Sequence, residues 1–239
     1  MNKNRFNRLG SDQLFFGRLG KFSDEKIIDC YESVFMGEPW NEWKKCTDCG
    51  INYGLDEFKE MVGSTTNVNL NCKNDDCSSE VLETDSFYKG GDQLGQKILS
   101  AARREEGLLD LTAYVVSERA CAEDRLVGFL WGYKFPSNDS PSVMFSKAQD
   151  MLVSNGFDLN TTLYLAETGV VPGYRGQGIG QSLLSEMKYQ MVSQGLTGMV
   201  MRTVNPQMVR NANSRVGSVQ ELGIDPNPMK SSIWYGVKI

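Results

Sequence analysis

The stretch TTLYLAETGVVPGYRGQGIGQSLL, residues 161–184, decides how this chain is read. Residues 161–171 read as a strand. From Ile179 the apolar positions Leu183, Leu184, Met187 and Met191 recur at helical spacing, while Gln181, Ser182, Glu186 and Lys188 face away. Between strand and helix lies PGYRGQGIG. A helix N-terminus carries unpaired N–H donors and a partial positive charge, and glycines there let a pyrophosphate approach the backbone. Gly176, Gly178 and Gly180 supply that. The spacing excludes two familiar signatures. No Lys-Ser or Lys-Thr follows, as the NTPase phosphate loop requires, and Gln181 stands where the dinucleotide fingerprint needs its third glycine. The turn also comes late in the chain, after a strand hairpin, which is the wrong order for a dinucleotide-binding unit.

Working outward, GMVMRTV (198–204) reads as a strand, NPQMVRNANSRVG (205–217) as a short helix and SSIWYGVKI (231–239) as a last strand. Upstream, Leu109, Leu111, Ala113 and Val115 alternate as one strand; SERACAEDR (117–125) reads as a polar connector and LVGFLWGYKF (126–135) as a strand covered on both faces. Residues 135–160 form a Pro- and Ser-rich insertion with a short helix expected around Lys147 to Val153. Ser23, followed by Asp24 and Glu25, opens a helix in which Ile27, Ile28, Tyr31, Val34 and Phe35 share a face, and which ends before Gly37 and Pro39. A second helix is expected from Asp92 to Gly107. The polar, cysteine-bearing segment between these helices is too long for a structureless loop and is expected to have a small fold of its own.

Composition narrows the chemistry. The 239 residues carry 25 basic and 30 acidic side chains, a net charge of -5, and no histidine. Imidazole-dependent triads and His-containing metal sites are thereby excluded. No apolar run spans a bilayer and the first twenty residues lack a signal-peptide core, so the expectation is a cytoplasmic protein without membrane association. Residues 1–21 are basic and read as a solvated terminus; no contiguous basic face follows, and nucleic acid is not expected as a partner.

The segment VVPGYRGQGIGQSLL resembles motif A of the GNAT superfamily of acetyl-CoA-dependent N-acetyltransferases. That motif is a Gln or Arg, two residues, a Gly, one residue, and a Gly or Ala. Arg175, Gly178 and Gly180 occupy its defining positions, and the resemblance extends over residues 14–45 and 89–239. It implies an α/β (α+β) fold: a mixed, mostly antiparallel sheet of six or seven strands flanked by helices, forming a single domain over residues 1–239. It also implies acetyl-CoA as cosubstrate. Val170 and Val171 would pair with the pantetheine arm where two parallel strands splay, and Arg175, Gly176, Gln177, Gly178, Ile179, Gly180 and Gln181 would hold the pyrophosphate. Asn205 matches an asparagine beside the cofactor. The tyrosine that members use as general acid is missing, its neighbourhood reading Ala212, Asn213 and Ser214; Tyr174 and Tyr235 are available but read more simply as packing residues. Glu167, at a strand position where many members carry an acid, is the candidate base, the alternative being that it only attracts a cationic substrate. Strand alternation places it on the face of Gly169 and Val171.

Cys46 and Cys49 form C-x2-C, and Cys72 and Cys77 form C-x4-C. In a cytoplasmic chain this spacing reads as a closed four-thiolate zinc site, structural because no coordination position is open, with iron and a redox dithiol as alternatives. Gly50 suits a turn that aims backbone N–H groups at the thiolates. Cys30 and Cys121 read as ordinary unpaired cysteines. The site defines a zinc-ribbon-like insert over residues 46–88 with net charge -7, which would favour a cationic amine if it walls the acceptor entrance and otherwise merely solvates a loop-rich segment. Two functions remain: acetyl transfer to a small-molecule or peptide amine, or a non-catalytic module presenting the ribbon to a protein. A homodimer is compatible with either.

Overall fold

The computed structural model describes residues 14–18, 22–36, 44–46, 48–54, 57, 60, 72–77, 84–86, 113–120, 123–135, 143–224 and 232–239. In chain order the elements are β1 (Leu14–Arg18), α1 (Asp24–Phe35), β2 (Lys44–Cys46), β3 (Asn52–Tyr53), β4 (Thr84–Ser86), β5 (Ala113–Ala120), β6 (Glu123–Lys134), α2 (Val143–Ser154), β7 (Thr162–Val170), α3 (Ile179–Ser193), β8 (Gly198–Thr203), α4 (Pro206–Arg215), β9 (Val219–Ile224) and β10 (Ile233–Lys238). The chain divides into two compact units, residues 1–22 with 102–239, and residues 23–101. The helix expected from Asp92 to Gly107, the strand residues Leu109 and Leu111, and Cys121 lie outside the described residues.

The larger unit is built on a seven-stranded sheet in the order β1-β5-β6-β7-β8-β10-β9. Among the described strands only β7 and β8 pair in parallel; the other neighbours are antiparallel. The mixed, mostly antiparallel sheet expected from the sequence is therefore present. On one face Leu163 and Leu165 of β7, Met199 and Met201 of β8 and Leu130 of β6 pack against Leu183, Leu184, Met187 and Met191 of α3. The opposite face carries Tyr164, Val200 and Trp234, covered by Ala148 and Leu152 of α2 and by Phe157.

Four details depart from the sequence reading. SERACAEDR is not a connector: Ser117–Ala120 belong to β5 and Glu123–Arg125 to β6. The register sets Glu118 opposite Arg125 and Arg119 opposite Asp124. The basic N-terminus contributes β1, antiparallel to β5. An edge strand unseen in the sequence, β9, pairs with β10. The insertion helix starts earlier than expected, at Val143.

In the smaller unit, Ser23 caps α1, its side chain accepting from the Lys26 N–H at 3.5 Å. Ile27, Cys30, Val34 and Phe35 of this helix are buried, so Cys30 is a core residue. A three-stranded sheet in the order β3-β2-β4 buries Cys46 and Tyr53. Among the described residues no helix is long and apolar enough to cross a membrane.

Candidate functional site

Parallel pairing between β7 and β8 runs from Thr162 opposite Gly198 to Leu165 opposite Met201 and then stops. Beyond it, β7 continues against β6 and β8 continues against β10, so the two central strands part within the sheet. At the same point the β6–β7 register shifts. Leu165 and Glu167 face the consecutive residues Gly132 and Trp131, leaving Ala166 as the extra residue of a bulge.

The pairing fixes which backbone groups face the opening. Val171 donates its N–H to the Val127 carbonyl at 3.0 Å, and antiparallel pairs alternate between exchanging hydrogen bonds and pointing away. Gly169 and Glu167 therefore bond to β6, while the N–H and C=O groups of Thr168 and Val170 point to the side that β8 has left. Val171, expected to pair with the pantetheine arm, is committed elsewhere. Its N–H goes to Val127, and its carbonyl accepts from the Tyr174 N–H at 2.9 Å. Beside Val170, Thr168 is the other β7 residue whose backbone groups face that side. The Val170 carbonyl accepts from Arg175 Nε at 3.0 Å, which ties the turn back to the strand.

The glycine turn then delivers the chain into α3. Gly178 occupies the N-cap in the left-handed region, φ 79°, with no side-chain cap. The first internal bond is Ser182 N–H to the Gly178 carbonyl at 3.0 Å, so the N–H groups of Ile179, Gly180 and Gln181 lie in the turn that helix bonding leaves open. A Cβ on Gly180 would meet nothing nearer than Val170 Cγ2 at 3.9 Å, and one on Gly176 would meet nothing within 4 Å. At Gly180 neither packing nor a positive φ calls for glycine. Ile179 itself is buried and anchors the helix, and Gln177 is exposed.

Glu167 is half-buried and lies opposite Trp131, which stacks on Phe129 at 4.6 Å between ring centroids. Because of the bulge it shares the face of Tyr164 and Ala166, away from α3. Asn205 caps α4, its Oδ1 accepting from the Gln207 N–H at 2.9 Å. No phenol stands where the family places its tyrosine: Ala212 is in the core, Asn213 Oδ1 accepts from the Val219 N–H at 3.1 Å, and Ser214 Oγ donates to the Asn211 carbonyl at 3.0 Å. Tyr174 and Tyr235 both pack against the α3-side core.

In the smaller unit the Sγ atoms of Cys46, Cys49, Cys72 and Cys77 all lie within 4.8 Å of one another. Cys46 and Cys77 are 4.0 Å apart, Cys49 and Cys72 3.5 Å. Four thiolates at about 2.3 Å from a tetrahedral zinc stand about 3.8 Å apart. The cluster thus fits the ion closely. Gly50, at φ 74°, turns the chain so that the Ile51 N–H reaches Cys49, and this bond, with the Asn74 side chain, lowers the Cys49 thiol to about 6 against the cost of burial. Tyr53, fully buried, donates its O–H to Cys72 Sγ at 2.9 Å and accepts the Lys73 N–H at 2.9 Å. Burial and the Cys72 contact both raise its phenol. This aromatic gave no sequence signal, since its role depends on the fold bringing residue 53 to residue 72.

The model of the acetyltransferase (GNAT) family matches residues 80–213. No curated protein matches the chain. Among solved structures, nourseothricin acetyltransferase is similar at 16% identity and a TM-score of 0.35, over 53% of this chain and 64% of that one, so this chain spans less than two thirds of its length. The ribosomal-protein-S18-alanine N-acetyltransferase from Escherichia coli shares 14% identity over 61% of this chain and 76% of that one, at a TM-score of 0.40. PaiA N-acetyltransferase from Thermoplasma acidophilum, solved with coenzyme A, shares 12% identity over 95% of this chain and 99% of that one, at a TM-score of 0.48.

Proposed function

Because the chain belongs to the GNAT family of acetyltransferases, whose model matches more than half of it, we propose that it moves the acetyl group of acetyl-CoA to a primary amine by direct attack in a ternary complex. Acetyl-CoA supplies an activated acyl carbon: the C–N bond forms there as the C–S bond breaks. The backbone groups of Thr168 and the N–H of Val170 orient the pantetheine amides, and the N–H groups from Gly176 to Gln181 take the diphosphate. Glu167, directly or through a water, accepts the proton that the ammonium must lose before it can attack. The thiolate, with a solution pKa of about 8.5, departs without a dedicated acid, consistent with the missing phenol. The acceptor is cationic at neutral pH, and the reaction belongs in the cytoplasm.

The observation that carries this reading is the glycine turn whose first-turn N–H groups helix bonding leaves open, directly downstream of the point where β7 and β8 part. Gly180→Leu tests it. A Cβ at this position meets nothing closer than 3.9 Å and leucine favours the helix over glycine, so the fold should survive, with an unchanged Tm as the check. The side chain should nevertheless cover the first-turn N–H groups and weaken acetyl-CoA at least about tenfold, the worth of one charged hydrogen bond. Calorimetry showing unchanged affinity would remove the diphosphate from this turn.

The four cysteines hold zinc in a structural role, the spacing of their sulfurs being the support. The purified protein is expected to contain about one zinc per chain. Tyr53→Phe removes the hydrogen bond to Cys72 and should lower zinc affinity about tenfold in chelator competition, the usual cost of losing an outer-shell partner. Elemental analysis finding no metal would overturn the site, and unchanged zinc retention in the variant would remove Tyr53 from it.

A further inference from the structure

Residues 171–185 and 203–220 flank the glycine turn in the fold and contain Arg175, Arg210 and Arg215 with no Asp or Glu, in a chain of net charge -5. Two of these arginines are joined by a line of amides. Arg210 Nη2 donates to Gln207 Oε1 at 2.8 Å, and Gln207 Nε2 donates to Asn211 Oδ1 at 2.9 Å. Gln181 Nε2 reaches the same Asn211 oxygen at 3.4 Å, and Arg215 Nη2 donates to Gln181 Oε1 at 2.6 Å. Arg215 lies in the last turn of α4, where an arginine ordinarily offsets the helix dipole at its own C-terminus. Here its guanidinium is instead drawn across to the third residue of α3, the helix whose first turn takes the diphosphate. It remains exposed.

We propose that Arg215, steered by Gln181, binds the 3′-phosphate of coenzyme A. The inference rests on the coenzyme A reading above. That molecule carries two separate anionic groups. Main-chain N–H groups satisfy the diphosphate, but the 3′-phosphate is a second, laterally displaced dianion that needs a cation of its own. A guanidinium meets a phosphate with two parallel hydrogen bonds, and the shortest bond of the amide line holds Arg215 beside the turn. Gln181 thus contributes its N–H to one anion and its side chain to the placing of the other's partner.

Calorimetric titration of the full-length, metal-loaded protein with coenzyme A and with 3′-dephospho-coenzyme A tests this. Wild type should prefer coenzyme A by about tenfold or more, and the preference should shrink with added salt because the contact is exposed. Arg215→Ala should weaken coenzyme A to the level of the dephospho compound and leave the dephospho affinity unchanged; Arg215→Lys should restore part of the difference. Equal binding of the two by wild type would overturn the proposal. So would an equal loss for both in Arg215→Ala, which would make Arg215 a support for the α3 turn alone. If wild type binds neither compound, the coenzyme A reading fails and this inference with it, an outcome distinct from the other two.

Discussion

Titration of the Gly178→Asp variant with acetyl-CoA is expected to give no measurable binding. A carboxylate about 4 Å from a phosphate charge costs about 4 kcal/mol at an effective dielectric of 20, which is about a thousandfold in affinity. The new side chain also occupies the approach to the turn. The fold should survive, because aspartate tolerates the left-handed region better than most residues and gives α3 the N-cap acceptor that it lacks. Gly178→Asn separates the two contributions, since it imposes the same backbone strain without the charge and should lose far less. Unchanged affinity in Gly178→Asp would remove the anion from the N-terminus of α3.

Glu167→Gln is expected to lower turnover about 100-fold or more at neutral pH. The substitution keeps the side chain's shape opposite Trp131 while removing the base. The pH dependence follows from the amine. As pH rises, more of the acceptor is already unprotonated, less depends on the carboxylate, and the deficit of the variant should shrink. A raised KM with unchanged kcat at every pH would make Glu167 a binding residue. The bulge at Ala166 is what lets this side chain serve: without it, strict alternation from Leu163 and Leu165 would turn Glu167 into the α3-side core.

That bulge also marks where reading the sequence stops working. Downstream of it, the pairing of Glu167 and Gly169 with Trp131 and Phe129 keeps the expected alternation. The bulge itself carries no signal, since an extra residue in a strand looks like any other alanine. The strand, turn and α3 were legible because their periodicity and glycines are local. The cysteine cluster was legible for the same reason, its four residues lying in two short motifs. The elements that were missed depend on distant partners: β1 is held by β5, and β9, in which Gln220, Glu221 and Gly223 interrupt the apolar positions, is held by β10. Asn205 shows another limit. Its position matched a cofactor residue, and in the fold its Oδ1 also caps α4, a role that the sequence reading did not give it although the following Pro206 at the first helical position signals it.

The most direct test of the account is the release of free thiol from acetyl-CoA by the wild-type protein against a panel of primary amines, with the products identified by mass spectrometry. The account predicts that thiol appears only when an amine is present, in step with an N-acetylated product, and that Glu167→Gln suppresses both. Acetyl-CoA that binds at the glycine turn while no amine in the panel is acetylated would contradict it, and would leave the fold as a module that presents its cysteine-bound insert to a protein partner.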